Sequence, residues 1–244
     1  MNNGDFFQMA QLAEASYADL WNEAASQPIT LADDVKAALM AEDFSETQAS
    51  IIVDNWSVLT HQPNTSSGYS STLFQDRDDP TKYVLAFRGT EPETPEDLAT
   101  DLGDIAVDGV ALDQIVDLYN EWQRLTTGTY NAARLVVLES ETTALQNSML
   151  EWAAYEANPF GTPPGIPTPE AMVESLASRT DIIIDLPSGT IKTIQFETAA
   201  SAGLGLNIAP GNLTVTGHSL GGHLAVAFTR LLPEMGAQAF TVNG

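Results

Sequence analysis

Apolar positions near the start of the chain, Phe6, Met9, Ala10, Ala13, Tyr17, Leu20 and Trp21, recur every three or four residues and predict a helix with one apolar face. A second helical stretch, "LADDVKAALMAEDF", follows Thr30, whose hydroxyl suits an N-cap. Both helices are expected to cover a sheet. Its first strands read from "GYSSTLFQD" and "TKYVLAFRG", β-favouring runs separated by the turn-rich "DRDDP" and predicted to pair antiparallel. Next, "TPEDLATDLGDIAVDG" suits a loop running into a helix start. That helix, "ALDQIVDLYNEWQRL", carries an apolar stripe of Leu112, Ile115, Val116, Tyr119 and Trp122. A longer helical pattern carried by Leu135, Leu138, Leu145, Met149 and Trp152 stops at the Pro-rich "NPFGTPPGIPTP".

Further along, "TDIIIDLP" and "TIKTIQF" read as short strands or a hairpin around "PSG". "NLTVT" is a short strand, "SLGGHLAVAFTRLLPEMG" a helix closed by Pro233 and Gly236, and "AQAFTVNG" a following strand. Strand, tight turn, helix and strand in succession point to an α/β fold. The 244 residues are enough for one such domain. It divides into an N-terminal helical cover (1–66), the first sheet strands (67–130), a helical and Pro-rich insertion (131–210) and a final strand–turn–helix–strand unit (211–244).

Nine basic against 33 acidic residues give a net charge of −24, which would repel a phosphate backbone and argues against nucleic acid as a partner. Uncharged lipid surfaces or dispersed esters would not be repelled, so transient contact with a lipid interface stays compatible with this charge. The absence of cysteine excludes disulfides, thiolate metal sites and a Cys nucleophile. The first residues lack a basic segment followed by an apolar run, and no stretch is long and apolar enough to span a membrane. Localisation is left open by these features, an extracellular site being favoured, and so is the oligomeric state.

Candidate chemistry concentrates at Gly217-His218-Ser219-Leu220-Gly221, a G-x-S-x-G between a predicted strand and a predicted helix. A strand-to-helix turn this tight leaves no room for side chains two positions either side of the serine, hence Gly217 and Gly221. It also projects the Ser219 hydroxyl outward as a nucleophile. The helix start aims free N–H groups at the same point, so the Leu220 amide can stabilise a developing oxyanion. No metal or organic cofactor is required for this chemistry.

Together with "VLAFRGTEPETPEDLATDLGDI", this stretch resembles the class 3 lipase family, serine esterases of the α/β-hydrolase fold, over about residues 68–110 and 211–244. The resemblance implies that a strand ends at Phe87-Arg88-Gly89-Thr90 and that the Thr90 backbone N–H is the second oxyanion donor. It implies an acidic pair at Asp97 and Asp101, although the Trp often found after the first Asp is absent here. Arg88 reads as structural, paired with Asp97 or Asp101. None of His61, His218 and His223 fits the base: His218 diverges from the serine beside it, His223 leads away along the helix, and His61 lies far upstream. The resemblance places the triad acid and base downstream of residue 244.

The expected activity is therefore hydrolysis of lipid-like carboxylic esters through an acyl-serine. Residues 131–210 could form a lid or an ordinary insertion, and both readings stand. The rival reading is a non-catalytic binding module on a lipase-like scaffold without a triad.

Overall fold

The computed structural model describes residues 3–89, 112–186 and 188–242. Helix α1 (Asn3–Ala15) is followed by the two-residue strands β1 (Trp21–Asn22) and β2 (Gln27–Pro28), then helices α2 (Ala32–Ala41) and α3 (Glu46–Asn55). Strands β3 (Trp56–Gln62), β4 (Ser71–Asp76) and β5 (Tyr83–Phe87) come next, and helix α4 (Leu112–Thr126) leads into β6 (Thr129–Tyr130) and β7 (Ala133–Val137). Helices α5 (Glu139–Ala157) and α6 (Pro169–Leu176) precede β8 (Ile182–Asp185), β9 (Thr190–Phe196) and β10 (Ser201–Ala202). The described chain closes with β11 (Leu213–His218), α7 (Leu220–Leu231), a 3₁₀ turn at Pro233–Met235 and β12 (Gln238–Val242).

The result is a mixed α/β architecture. Its main sheet has the order β12-β11-β5-β4-β3, with β11 parallel to both β12 and β5, and β4 antiparallel to both β5 and β3. "YVLAF" is apolar without alternation because both faces of β5 are covered. Val84 and Ala86 join a core built with α1, α2 and α3, whereas Leu85 and Phe87 join a second core with α4 and α7.

Several sequence expectations need correction. α1 ends at Ala15, so Tyr17 and Leu20 lie beyond it and Trp21 pairs in β1 instead. The Ser16 hydroxyl donates to Ala13 O at 2.6 Å, and the next amides bond three residues back, Tyr17 N to Glu14 O and Ala18 N to Ala15 O, a tightening that ends the helix. Thr30 is not the cap of α2. Leu31 holds that position without a side-chain bond, and Asp33 and Asp34 supply the favourable charge in the first turn. α3 is a separate helix started by a capping box, Gln48 N donating to Ser45 Oγ and Ser45 N to Gln48 Oε1.

The predicted stripe on α4 is rotated. Leu118, Trp122 and Leu125 enter the core, whereas Tyr119 meets Phe196 edge-on at 6.2 Å. α4 needs a second contacting face because a separate antiparallel sheet, β7-β9-β8, lies against it. The Asn120 side chain clamps that junction, its Nδ2 donating to Ala133 O at 2.8 Å and its Oδ1 accepting from Ala133 N at 2.7 Å. The 131–210 insertion is thus sheet as well as helix. Leu135, expected in a helix, sits in β7 opposite Ile194, where "RLVV" finds β partners. The β8–β9 hairpin, the end of α5 before the Pro-rich run, and the stop of α7 at Pro233 and left-handed Gly236 match the sequence reading. Among the described residues no helix is long and apolar enough to cross a membrane.

Phe228 on α7 is fully buried between Phe87, at 6.3 Å, and Trp122, at 5.1 Å and nearly perpendicular. Phe228→Ala should destabilise the fold by about 3–5 kcal/mol, measurable as a lower midpoint of urea unfolding. A loss under about 1 kcal/mol would mean that α7 is not held by this aromatic cluster.

Candidate active site

Strand β11 runs parallel between β5 and β12, with Gly217 opposite Phe87 and His218 opposite Val242. At its end Ser219 adopts φ 53°, ψ −124°, while α7 begins at the next residue. These angles are close to those of the first central position of a type II′ turn, a conformation dominated by glycine. The geometry is fixed from both sides. Ser219 N–H donates to Val242 O at 3.0 Å, and Ser219 O accepts from Gly222 N at 2.9 Å and His223 N at 3.3 Å. The Ser219 side chain is half-buried, and its Oγ has no hydrogen-bond partner among the described residues.

The glycines of the motif are steric requirements. A Cβ on Gly217 would run into the carbonyl group of Gly221, and one on Gly221 into the Phe87 carbonyl. The first turn of α7 therefore lies directly on the end of β5. There Arg88 N donates to Ser70 O at 3.1 Å, and Gly89 is wedged in: a side chain on it would strike Tyr17 Oη and His218 O and come within 3.4 Å of Ser219 Cβ. The structure thus brings the Phe87-Arg88-Gly89 strand end and the Gly217–Gly221 elbow together. Leu220 is buried at the head of α7, where its N–H has no intrahelical acceptor. Thr90, Asp97 and Asp101 lie outside the described residues, and the expected pairing of Arg88 with those acids lies there too.

Tyr17 is the neighbour that sequence reasoning missed. Its Oη accepts from Gly89 N–H at 3.1 Å and lies 3.3 Å from His218 Nδ1, with the two rings edge to face. The tyrosine fits the apolar spacing of α1, so nothing in the sequence set it apart. The three histidines go elsewhere. His218 is turned to Tyr17, and His223 lies within the first turn of α7. His61 lies on β3, three strands from β11 and so about 14 Å away at the usual strand spacing. It is buried against the Thr72 hydroxyl, 2.9 Å from its Nδ1, and burial lowers its pKa from 6.5 to about 4, Asp19 opposing and Arg88 assisting. Among the described residues there is no group of His, Cys, Asp and Glu suited to a metal ion. No protein-family model matches the chain, and no curated protein matches it in sequence.

Two outcomes follow from this geometry. Glycine relieves about 1–3 kcal/mol of strain at Ser219 but adds about 0.5–1 kcal/mol of unfolded-state entropy, so Ser219→Gly should raise stability by up to about 2 kcal/mol in urea unfolding even though it removes the hydroxyl. A variant destabilised by more than about 1 kcal/mol would mean that the turn is not strained. His61 is neutral in the fold down to about 4 but titrates at its ordinary 6.5 when unfolded. Between these values only the unfolded chain gains the proton, so His61's contribution is complete above 6.5, declines as pH falls, and levels off below about 4. The total is roughly 3 kcal/mol. His61→Gln should flatten unfolding free energy against pH across that window, and an unchanged slope would place the pH dependence in other groups.

Proposed function

We propose that this chain carries the nucleophile and the oxyanion donors of a serine ester hydrolase of the class 3 lipase kind, on an α/β-hydrolase type of sheet. The observation that carries this reading is the strained Ser219, a non-glycine residue held at φ 53° between a parallel strand and a helix, with the Gly89 backbone beside it. Such strain persists only where the surroundings over-determine it, and it clusters where a side chain must be presented to a reactant.

In the proposed reaction Ser219 Oγ attacks the ester carbonyl carbon while a base removes its proton. The carbonyl electron pair moves onto oxygen, which accepts from the Leu220 N–H and, in this proposal, from the Thr90 N–H. Collapse of the tetrahedral intermediate expels the alcohol, which takes the proton back from the base, and water then releases the acid from Ser219. His218 stands against the Tyr17 phenol and His61 lies three strands away, and the proposal assigns the base and its acidic partner to a segment outside residues 1–244. A neutral, lipid-like ester suits a chain of net charge −24 better than an anionic substrate does. The reaction as proposed needs no cofactor.

Protein expressed from the complete reading frame should hydrolyse p-nitrophenyl butyrate, and Ser219→Ala should lower kcat by roughly 10⁴- to 10⁶-fold. Activity that survives the substitution would refute Ser219 as the nucleophile.

A further inference from the structure

We infer that Tyr17 is a positioning residue for this site, its hydroxyl holding the end of β5 at a fixed distance from the elbow. The inference rests on the ester-hydrolase reading above and assigns a part in it to a residue outside both motifs.

Helix α1 packs on β11, β12 and β5, and the buried Thr216 hydroxyl donates to Met9 O at 3.0 Å. The helix is thereby fastened to the nucleophile strand three residues before Ser219. Because α1 stops at Ala15 and winds on through tighter bonds, Tyr17 emerges above the carboxyl ends of β11 and β5 rather than along the helix face. Its Oη then takes the Gly89 N–H at 3.1 Å and stands 3.3 Å from His218 Nδ1. The pairing of β5 with β11 ends at Phe87 and Gly217, so Gly89 N–H lies past the ladder and looks to a side chain for its acceptor. One phenol therefore touches the residue two positions after β5 and the residue just before the nucleophile.

Oxyanion donors act only when they are held close to where the charge develops, and a displacement of about 1 Å can cost on the order of 10²-fold in rate. Deleting the Tyr17 hydroxyl leaves Gly89 N–H without its acceptor and frees the strand end to shift against Ser219. That fault is felt in the transition state more than in substrate binding, so it falls on kcat and spares KM. A tyrosine that merely filled space would leave both kcat and Tm close to the parent values, since phenylalanine occupies nearly the same volume.

The test is Tyr17→Phe in protein expressed from the complete reading frame, assayed with p-nitrophenyl butyrate and examined by ¹⁵N NMR at the Gly89 amide and the His218 ring. The expected result is a fall in kcat of about 10- to 100-fold with KM within about twofold, together with displaced Gly89 and His218 resonances. An active parent whose variant keeps kcat within about twofold would overturn the role of Tyr17 and leave the esterase reading standing. A parent with no hydrolytic activity would overturn the esterase reading and, with it, any part for Tyr17 in the reaction. Should the variant fail to fold, hydrogen exchange at Gly89 in the unsubstituted protein decides: a protected amide supports the bond to Tyr17, and free exchange overturns it.

Discussion

Backbone lies against backbone where Gly221 meets the Phe87 carbonyl, and the rest of the site depends on that contact. Any side chain at Gly221 would lift the first turn of α7 off β5, and any at Gly217 would separate β11 from the helix that follows it. With both bare, the helix starts one residue after the strand ends and Ser219 is forced to a positive φ. Such strain costs about 1–3 kcal/mol. It is offset next door, where Leu224, Ala225 and Phe228 of α7 are fully buried, since a large apolar side chain contributes about 1.5–3 kcal/mol on burial. The strained turn and the aromatic cluster beneath it are two ends of one helix.

Acidic residues outnumber basic ones by 33 to 9, yet among the described residues the contacts shown at the elbow are made by backbone groups, the Tyr17 phenol and the His218 imidazole. Arg124, half-buried on α4, is taken by Glu121 through two bonds of 2.6 and 2.7 Å and also donates to Thr60 Oγ1. In the proposed reaction, an anion developing at the elbow of so acidic a chain would meet a repulsive background that salt screens beyond about 10 Å. Fixed N–H dipoles at the head of α7 act inside that distance and need no counter-ion, which suits stabilisation of a transient oxyanion.

The elbow was legible in the sequence because Gly217 answers a local demand, meeting the Gly221 backbone four residues on, although Gly221 itself answers to the distant Phe87 carbonyl. The β4–β5 pair, the β8–β9 hairpin and the stop of α7 were legible for the same reason, each resting on nearby turn chemistry. Features that depend on distant partners were not. Leu135 fits a helical period until β9 arrives beside it, and α4 had to be seen between two sheets before its buried face could be told from its flank. Tyr17 was the least legible of all. An aromatic ring at helical spacing carries no sign that the helix will end two residues earlier and leave a hydroxyl over the strand ends.

The histidines show how strand geometry separates neighbours in sequence. Side chains alternate across β11, Val215 to the core with α7 and Thr216 towards α1, so His218 returns to the α1 side and meets Tyr17 there. The chain then breaks its extended course at Ser219, where φ turns positive. His223 is carried down α7, and His61 is kept neutral by burial three strands off. The same alternation that denies His218 a part as base puts it within reach of the phenol that also holds Gly89.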